Sequence, residues 1–270
     1  MLLQRMINHV KDQDWFAVVL EFVIVVISIV AAFQLQSWGE NRAAHQRAQQ
    51  SIHMLYEESE EALQFWAETV KYADSRLELQ DQVIAALSAG DRGDLKADEI
   101  ADALSGLSHY PALAVPRHTY DGLSSAGLLS EIDAPEAMAQ LTEYYVSVDF
   151  VQGQIGHFRP SETEYFREPT AGINAVYDPT NPTRRREVVE FDKLAADPRF
   201  INNVIDALRN QLVFEFIRRG AMHKAADACR ALATAVGKAC EAYAAYEEVS
   251  ELPEWLMRDV PPLEDEGGGN

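Results

Sequence analysis

One carboxylate, Glu21, lies inside the apolar run Trp15 to Trp38. A charged group among hydrocarbon is costly and normally faces a partner, a cavity or a proton path. At helical spacing Glu21, Val25, Ser28, Ala31 and Ala32 share a face, and the small residues on it let another helix approach closely. Glu21 is also only a turn or two past Trp15, where water or a proton is within reach. A partner-helix face and an interfacial acid are both open readings of this residue.

Elsewhere the residue types that do chemistry do not assemble into a site. Gly122-Leu123-Ser124-Ser125-Ala126-Gly127 echoes a nucleophile elbow, but that motif needs a strand leading into a helix, and no strand pattern precedes it. None of the histidines falls in H-E-x-x-H or a cysteine-rich metal spacing. His45 and His53 would sit roughly 12 Å apart along one helix, too far to share an ion. Cys229 and Cys240 would lie about 16 Å apart within one straight helix, beyond the reach of a disulfide. They are expected to be small buried hydrophobes, with a bridge to a second chain as the alternative. Arg184-Arg185-Arg186 sits beside Glu187, Glu190 and Asp192, as a salt-bridged helix start facing water would. Trp66 and the pair Tyr144-Tyr145 read as core rather than as a ligand cleft. No catalytic group, cofactor site or metal site is predicted.

The elements that carry these residues begin with the apolar run itself. A helix needs roughly 20 mainly apolar residues to cross a bilayer, and Trp15 and Trp38 stand where interfacial aromatics are expected. The chain therefore divides into a polar leader (1–14), a transmembrane helix (15–38), a helical bundle domain (39–250) and a mobile acidic tail (251–270). A cleaved signal peptide is the rival reading, since Val30-Ala31-Ala32 offers small residues. Against it, Asp12 and Asp14 precede the run, which exceeds the usual apolar core of a signal. Basic residues flank the run almost evenly, Arg5 and Lys11 before it and Arg42 and Arg47 after it. With the amino terminus added, a cytoplasmic leader and an exported bulk are favoured, which places the protein in a bacterial inner membrane with most of the chain in the periplasm.

A net charge of −20 spread over 270 residues excludes a polynucleotide partner. From 40 to 89 the apolar residues Ile52, Leu55, Ala62, Trp66, Val70, Ala73, Leu77, Ile84 and Leu87, with Ser59, step by threes and fours with one longer gap, the pattern of a coiled-coil or bundle seam. Gly39 is its one candidate hinge, and Gly90 its stop. Further helices are expected at about 96–107, from Thr119 to Gly127, and from Asp133-Ala134-Pro135-Glu136 to a kink or end at Pro160. Residues 168–183 read as loop, and Arg184 to Arg186 as the start of a short helix. Asp197-Pro198 opens a last helix, expected to reach Val249 with Gly220 near its middle. No stretch alternates with period two between hairpin turns. The fold class is therefore all-α: one N-terminal membrane helix followed by an elongated antiparallel bundle.

Two pieces of this pattern together resemble a known family. The first is Glu21, Val25, Ser28, Ile29 and Ala32, followed by Gln34, Trp38, Glu40 and Asn41. The second is Thr119, Tyr120, Leu123, Ser125 and Gly127, with Tyr144 and Tyr145 downstream. The family comprises uncharacterised single-pass bacterial membrane proteins, grouped as a domain of unknown function. Many members have glycine where Leu20 stands here, before the membrane glutamate. The resemblance covers about the first half of the chain and implies a membrane-anchored helical domain without bringing an activity.

The function expected from all this is that of an accessory or scaffold protein. It would associate with other membrane proteins or with itself, through its anchor, the seam that follows and the helical domain. The second expectation is an extracytoplasmic small-molecule sensor that signals through a partner. An enzyme is the least supported.

Overall fold

In the computed structural model one helix, α1, runs unbroken from Trp15 to Ala89, 75 residues and roughly 110 Å. The described residues are 15–167, 172–182 and 184–257, the side chains of 15–18, 21, 37, 39–41, 43–45, 160–167 and 257 excepted. The leader and residues 258–270 of the tail lie outside them, as does the side chain of Glu21. Gly39 is no break in the backbone: the apolar run and the seam are one helix. Gly90, at φ 68°, ends it in the left-handed region that favours glycine.

The following elements are α2 (Ala97–Gly106), α3 (His118–Ser125), a 3-10 turn (Leu128–Glu131) and α4 (Pro135–Arg167). After them come strands β1 (Ile173–Tyr177) and β2 (Arg185–Val189), then α5 (Phe191–Ala195), α6 (Pro198–Ala235), α7 (Tyr243–Glu247) and α8 (Glu254–Met257). The molecule is mostly helical. α6 opens as its sequence dictates: Asp197 Oδ1 accepts from the backbone N–H of Arg199 and of Phe200, with Pro198 in the first turn.

α1 and α6 pack antiparallel over two stacked cores. In the first, Leu55, Leu63, Trp66 and Val70 of α1 meet Tyr144, Tyr145 and Val148 of α4 and Met222, Ala225 and Cys229 of α6. In the second, Leu77, Val83 and Leu87 meet Ile100 and Leu104 of α2, Leu194 of α5 and Val204 and Leu208 of α6. The alanines of α6, Ala221 to Ala233, leave room for Trp66 and the tyrosines, large against small. Every residue of the predicted seam from Ile52 to Leu87 is buried. It is covered by the chain's own helices, so it is not a free surface for a second chain.

Three expectations need correction. Arg184 to Arg186 do not start a helix. Residues 173–177 and 185–189 form an antiparallel hairpin in register from Ile173 opposite Val189 to Tyr177 opposite Arg185. Its strands are short and mostly exposed, so no inward-outward alternation marks them in the sequence. Asp178 makes the turn, its Oδ1 accepting from the backbone N–H of Thr180 at 2.9 Å and from its hydroxyl at 2.6 Å. The last long helix stops at Ala235 rather than Val249, because Gly237 (φ 70°) caps it as Gly90 caps α1. The chain then folds back, which brings Cys240 to Cys229 with Cα atoms 5.8 Å apart in a disulfide. The straight-helix geometry that separated the two cysteines does not exist. Pro160 does not end α4, which continues to Arg167.

Candidate functional site

Three residues of the second family-like piece, Thr119, Tyr120 and Tyr145, meet at a carboxylate that sequence reading did not single out. Glu58, on α1, has a side chain 1% exposed. Its Oε2 accepts from the backbone N–H of Thr119 at 2.5 Å, and its Oε1 from that of Tyr120 at 3.0 Å. These are first-turn donors of α3 that have no partner within their own helix, and a carboxylate there also complements the helix dipole. The Tyr145 hydroxyl donates to Oε1 at 2.8 Å, and His118 Nδ1 lies 3.2 Å from Oε2. Burial, then Glu58, pushes the Tyr145 phenol far above its usual range, so it remains a donor.

Aromatic rings close this hub. Tyr120 stacks on Tyr145 with centroids 4.0 Å apart, and the Arg117 guanidinium lies 5.5 Å from the Tyr145 ring centroid. Arg117 is held by Asp149 at 2.6 Å and Asp121 at 3.0 Å. Trp66 Nε1 donates to the Tyr144 hydroxyl at 3.1 Å, and both side chains are fully buried. Leu123 points into the core, Ser125 ends α3, and Gly127 (φ 70°) turns the chain towards the 3-10 turn. No strand leads into Gly122–Gly127, so the elbow geometry is missing. The arrangement holds α3 against α1 and α4. Its donors and acceptors are spent on one another, and it offers no nucleophile with a base.

A second polar cluster lies between the two cores. Glu215, Arg218 and Arg219 of α6 and Asp74 of α1 are its members. Arg219 Nη2 donates to both oxygens of Asp74, at 2.5 and 2.6 Å, and its Nη1 to the carbonyl of Val249 at 2.6 Å. Arg219 thereby ties the returning C-terminal segment to both long helices. Glu215 pairs with Arg218 at 2.6 Å, though not in hydrogen-bond geometry, and lies 3.5 Å from Arg219 Nε. Burial outweighs the two arginines and pushes the Glu215 carboxyl up to about 7. The signal was present in the sequence: the apolar stripe of α6 is interrupted between Leu212 and Met222, where these three charges stand.

No family model, curated protein or solved structure matches this chain. What it does must be read from its own geometry.

The disulfide gives the remaining cluster. Glu60 and the sulfurs of Cys229 and Cys240 lie within 4.8 Å of one another. Bonded sulfurs are not thiolate ligands. The Glu60 carboxylate already accepts from the backbone N–H of Glu241 at 2.6 Å and Ala242 at 2.7 Å, and from the Tyr56 hydroxyl at 2.8 Å. It fixes the return loop and has little left for an ion.

The residues of the apolar run stand apart from these clusters, Trp38 roughly 30 Å along α1 from Glu58. Val25, Ala31, Ala32, Gln34 and Trp38 are exposed, and the Ser28 hydroxyl donates to the Ile24 carbonyl at 2.7 Å. The backbone sets Glu21 on the face of Val25, Ser28 and Ala32. Among the described residues no helix is long and apolar enough to cross a membrane. The described apolar side chains there run from Val19 to Trp38, and those of 15–18 and 21 lie outside the description.

Proposed function

We propose that the protein is a membrane-anchored accessory or scaffold subunit whose N-terminal helix associates with other membrane proteins or with a second copy. One observation carries this: α1 is a single helix whose first part exposes Phe22, Ile24, Ile27, Ile29, Phe33 and Leu35, while its second part is the spine of a packed bundle. An exposed apolar surface of that length on a folded protein marks a lipid or protein contact. The bundle covers its own seam, so association falls to the anchor and its face of Glu21, Val25, Ser28, Ala31 and Ala32.

The bulk of the chain, on this proposal, lies in the periplasm. The Cys229–Cys240 bond supports that side, because such bonds persist in oxidising compartments. The resemblance to single-pass bacterial membrane proteins points the same way. Alkaline extraction of membranes from cells expressing the whole chain, with protease added to spheroplasts, tests both claims. The expected outcome is a chain retained in the pellet and cut only when the periplasmic face is opened. Release by alkali, or protection in spheroplasts, overturns the anchor or the orientation respectively.

A further inference from the structure

A cleft of about 380 Å³ lies beside the second polar cluster, between α1, α6, the end of α2 and the connector that follows it. That volume is at the small end of the range for small-molecule sites. Its apolar walls are Phe65, Leu77, Pro111 and Leu113. Its polar lining is cationic in a chain whose net charge is −20.

Arg76 and Arg218 supply that charge. Arg76 donates to the Tyr72 hydroxyl at 3.0 Å and has no carboxylate partner among the described residues. Gly106 ends α2 against it, and a side chain at that position would collide with the Arg76 guanidinium. The C-terminal end of α2 offers Arg76 only the partial charge of a helix dipole, not a full counter-ion. Arg218 is 6% exposed, engages Glu215 through Nη2, and leaves its buried Nε without a hydrogen-bond partner. A buried guanidinium N–H left without an acceptor costs free energy, and the rest of the Arg218 side chain reaches the lining.

Glu215, at 2.6 Å, already pairs with Arg218, which leaves Arg76 as the lining cation without a carboxylate partner among the described residues. Glu68 is on the lining and takes a hydrogen bond from Gln64 at 3.0 Å. Burial, with Arg76 and Arg159 nearby, holds His109 below its ordinary range, so it stands neutral and able to donate or accept. Gln211, itself buried, donates to the Leu107 carbonyl at 2.9 Å and fixes the connector that forms the outer wall. The cleft is thus pre-formed from α1, the end of α2, the connector and α6.

We propose that this cleft binds a small organic carboxylate with an apolar body, the carboxylate on Arg76 and Arg218 and the body against Phe65, Leu77 and Leu113. A planar guanidinium suits a carboxylate better than a spherical cation would, and the apolar walls exclude a bare inorganic anion as the preferred occupant. The cleft lies within the bundle, and its occupancy is independent of how the chain is anchored.

The test is calorimetric titration of the full chain in mild detergent. The probes are aryl and alkyl monocarboxylates such as benzoate and hexanoate, each beside its neutral amide and beside inorganic phosphate. The expected result is saturable binding of a carboxylate, none by its amide, and weaker binding by phosphate. Arg76→Gln should weaken carboxylate binding roughly tenfold to hundredfold, the range for losing hydrogen bonds to a charged group, and Arg76→Lys should restore part of it. Binding of no member of the panel overturns the proposal, as does equal binding of acid and amide. Phosphate binding as well as the acids makes this a simple anion site and also overturns it. Should Arg76→Gln fail to fold, the comparison of acid with amide on the unaltered chain still decides.

Discussion

Glu58 and Glu215 are both buried glutamates on the two longest helices, and they are treated in opposite ways. Glu58 accepts from two helix N–H groups and the Tyr145 hydroxyl, with His118 Nδ1 3.2 Å away. Glu215 has two arginines beside it but neither oxygen in hydrogen-bond geometry, and burial raises its carboxyl to about 7. The first is built to hold the fold. The second sits beside a cleft in an arrangement that is electrically matched and geometrically incomplete. Buried charge that is fully hydrogen-bonded stabilises, whereas buried charge that is only paired is close to neutral or costly.

Glu58→Ala should have the largest effect. It strands the N–H groups of Thr119 and Tyr120 and leaves the Tyr145 hydroxyl only the Pro116 carbonyl, at about 3–5 kcal/mol for removing one member of a buried charged network. Urea unfolding of the solubilised chain, followed by circular dichroism, measures it. A loss comparable to that of a surface substitution would mean the hub is not what holds α3.

Reducing the Cys229–Cys240 bond releases the return loop that Glu60 and Arg219 also fasten. The expected cost is about 3 kcal/mol for a loop of this size, read as a lower urea midpoint with reductant and reproduced by Cys240→Ser without it. Tyr145→Phe keeps the stack on Tyr120 and deletes the hydroxyl that donates to Glu58 at 2.8 Å and lies 3.2 Å from the Pro116 carbonyl. A loss of about 1.5–3 kcal/mol is expected, and no loss would assign the strength of the hub to its rings.

The smallest effect in magnitude separates the two glutamates most sharply. Because the folded Glu215 carboxyl binds its proton more tightly than the unfolded one, its contribution is fully present below the ordinary carboxylate range. It is lost as pH rises towards about 7. Unfolding midpoints between pH 5 and pH 8 should fall with pH, and Glu215→Gln should flatten that slope with little cost at pH 7. A variant that loses as much stability as Glu58→Ala would erase the distinction between the two residues.

Much of this architecture was legible in the sequence, and the omissions have physical causes. The seam from Ile52 to Leu87, the glycine stop at Gly90 and the Asp197-Pro198 start are local signals, and each stands where local chemistry puts it. Gly237 carries the same stop signal as Gly90. A run of small and apolar residues on either side of it imitates a continuing helix, and that hid the turn which joins the cysteines. The hairpin was missed because its strands are short, exposed and rich in arginine at one end. Glu58 was missed because its role depends on Thr119 and Tyr145, more than 60 and 80 residues away, which no spacing along the chain can reveal. The charges of α6 did leave a trace, as the interruption of its stripe, but only the fold puts them beside Asp74 and the cleft.

The central proposal is association through the anchor, and native mass measurement tests it most directly. The tagged chain would be released from native membranes in mild detergent and weighed beside Glu21→Leu. A stoichiometric partner or a homo-oligomer with the unaltered chain, lost in the variant while its circular dichroism and unfolding midpoint stay the same, is the predicted result. A monomer in both cases, or the same complex in both, would contradict it.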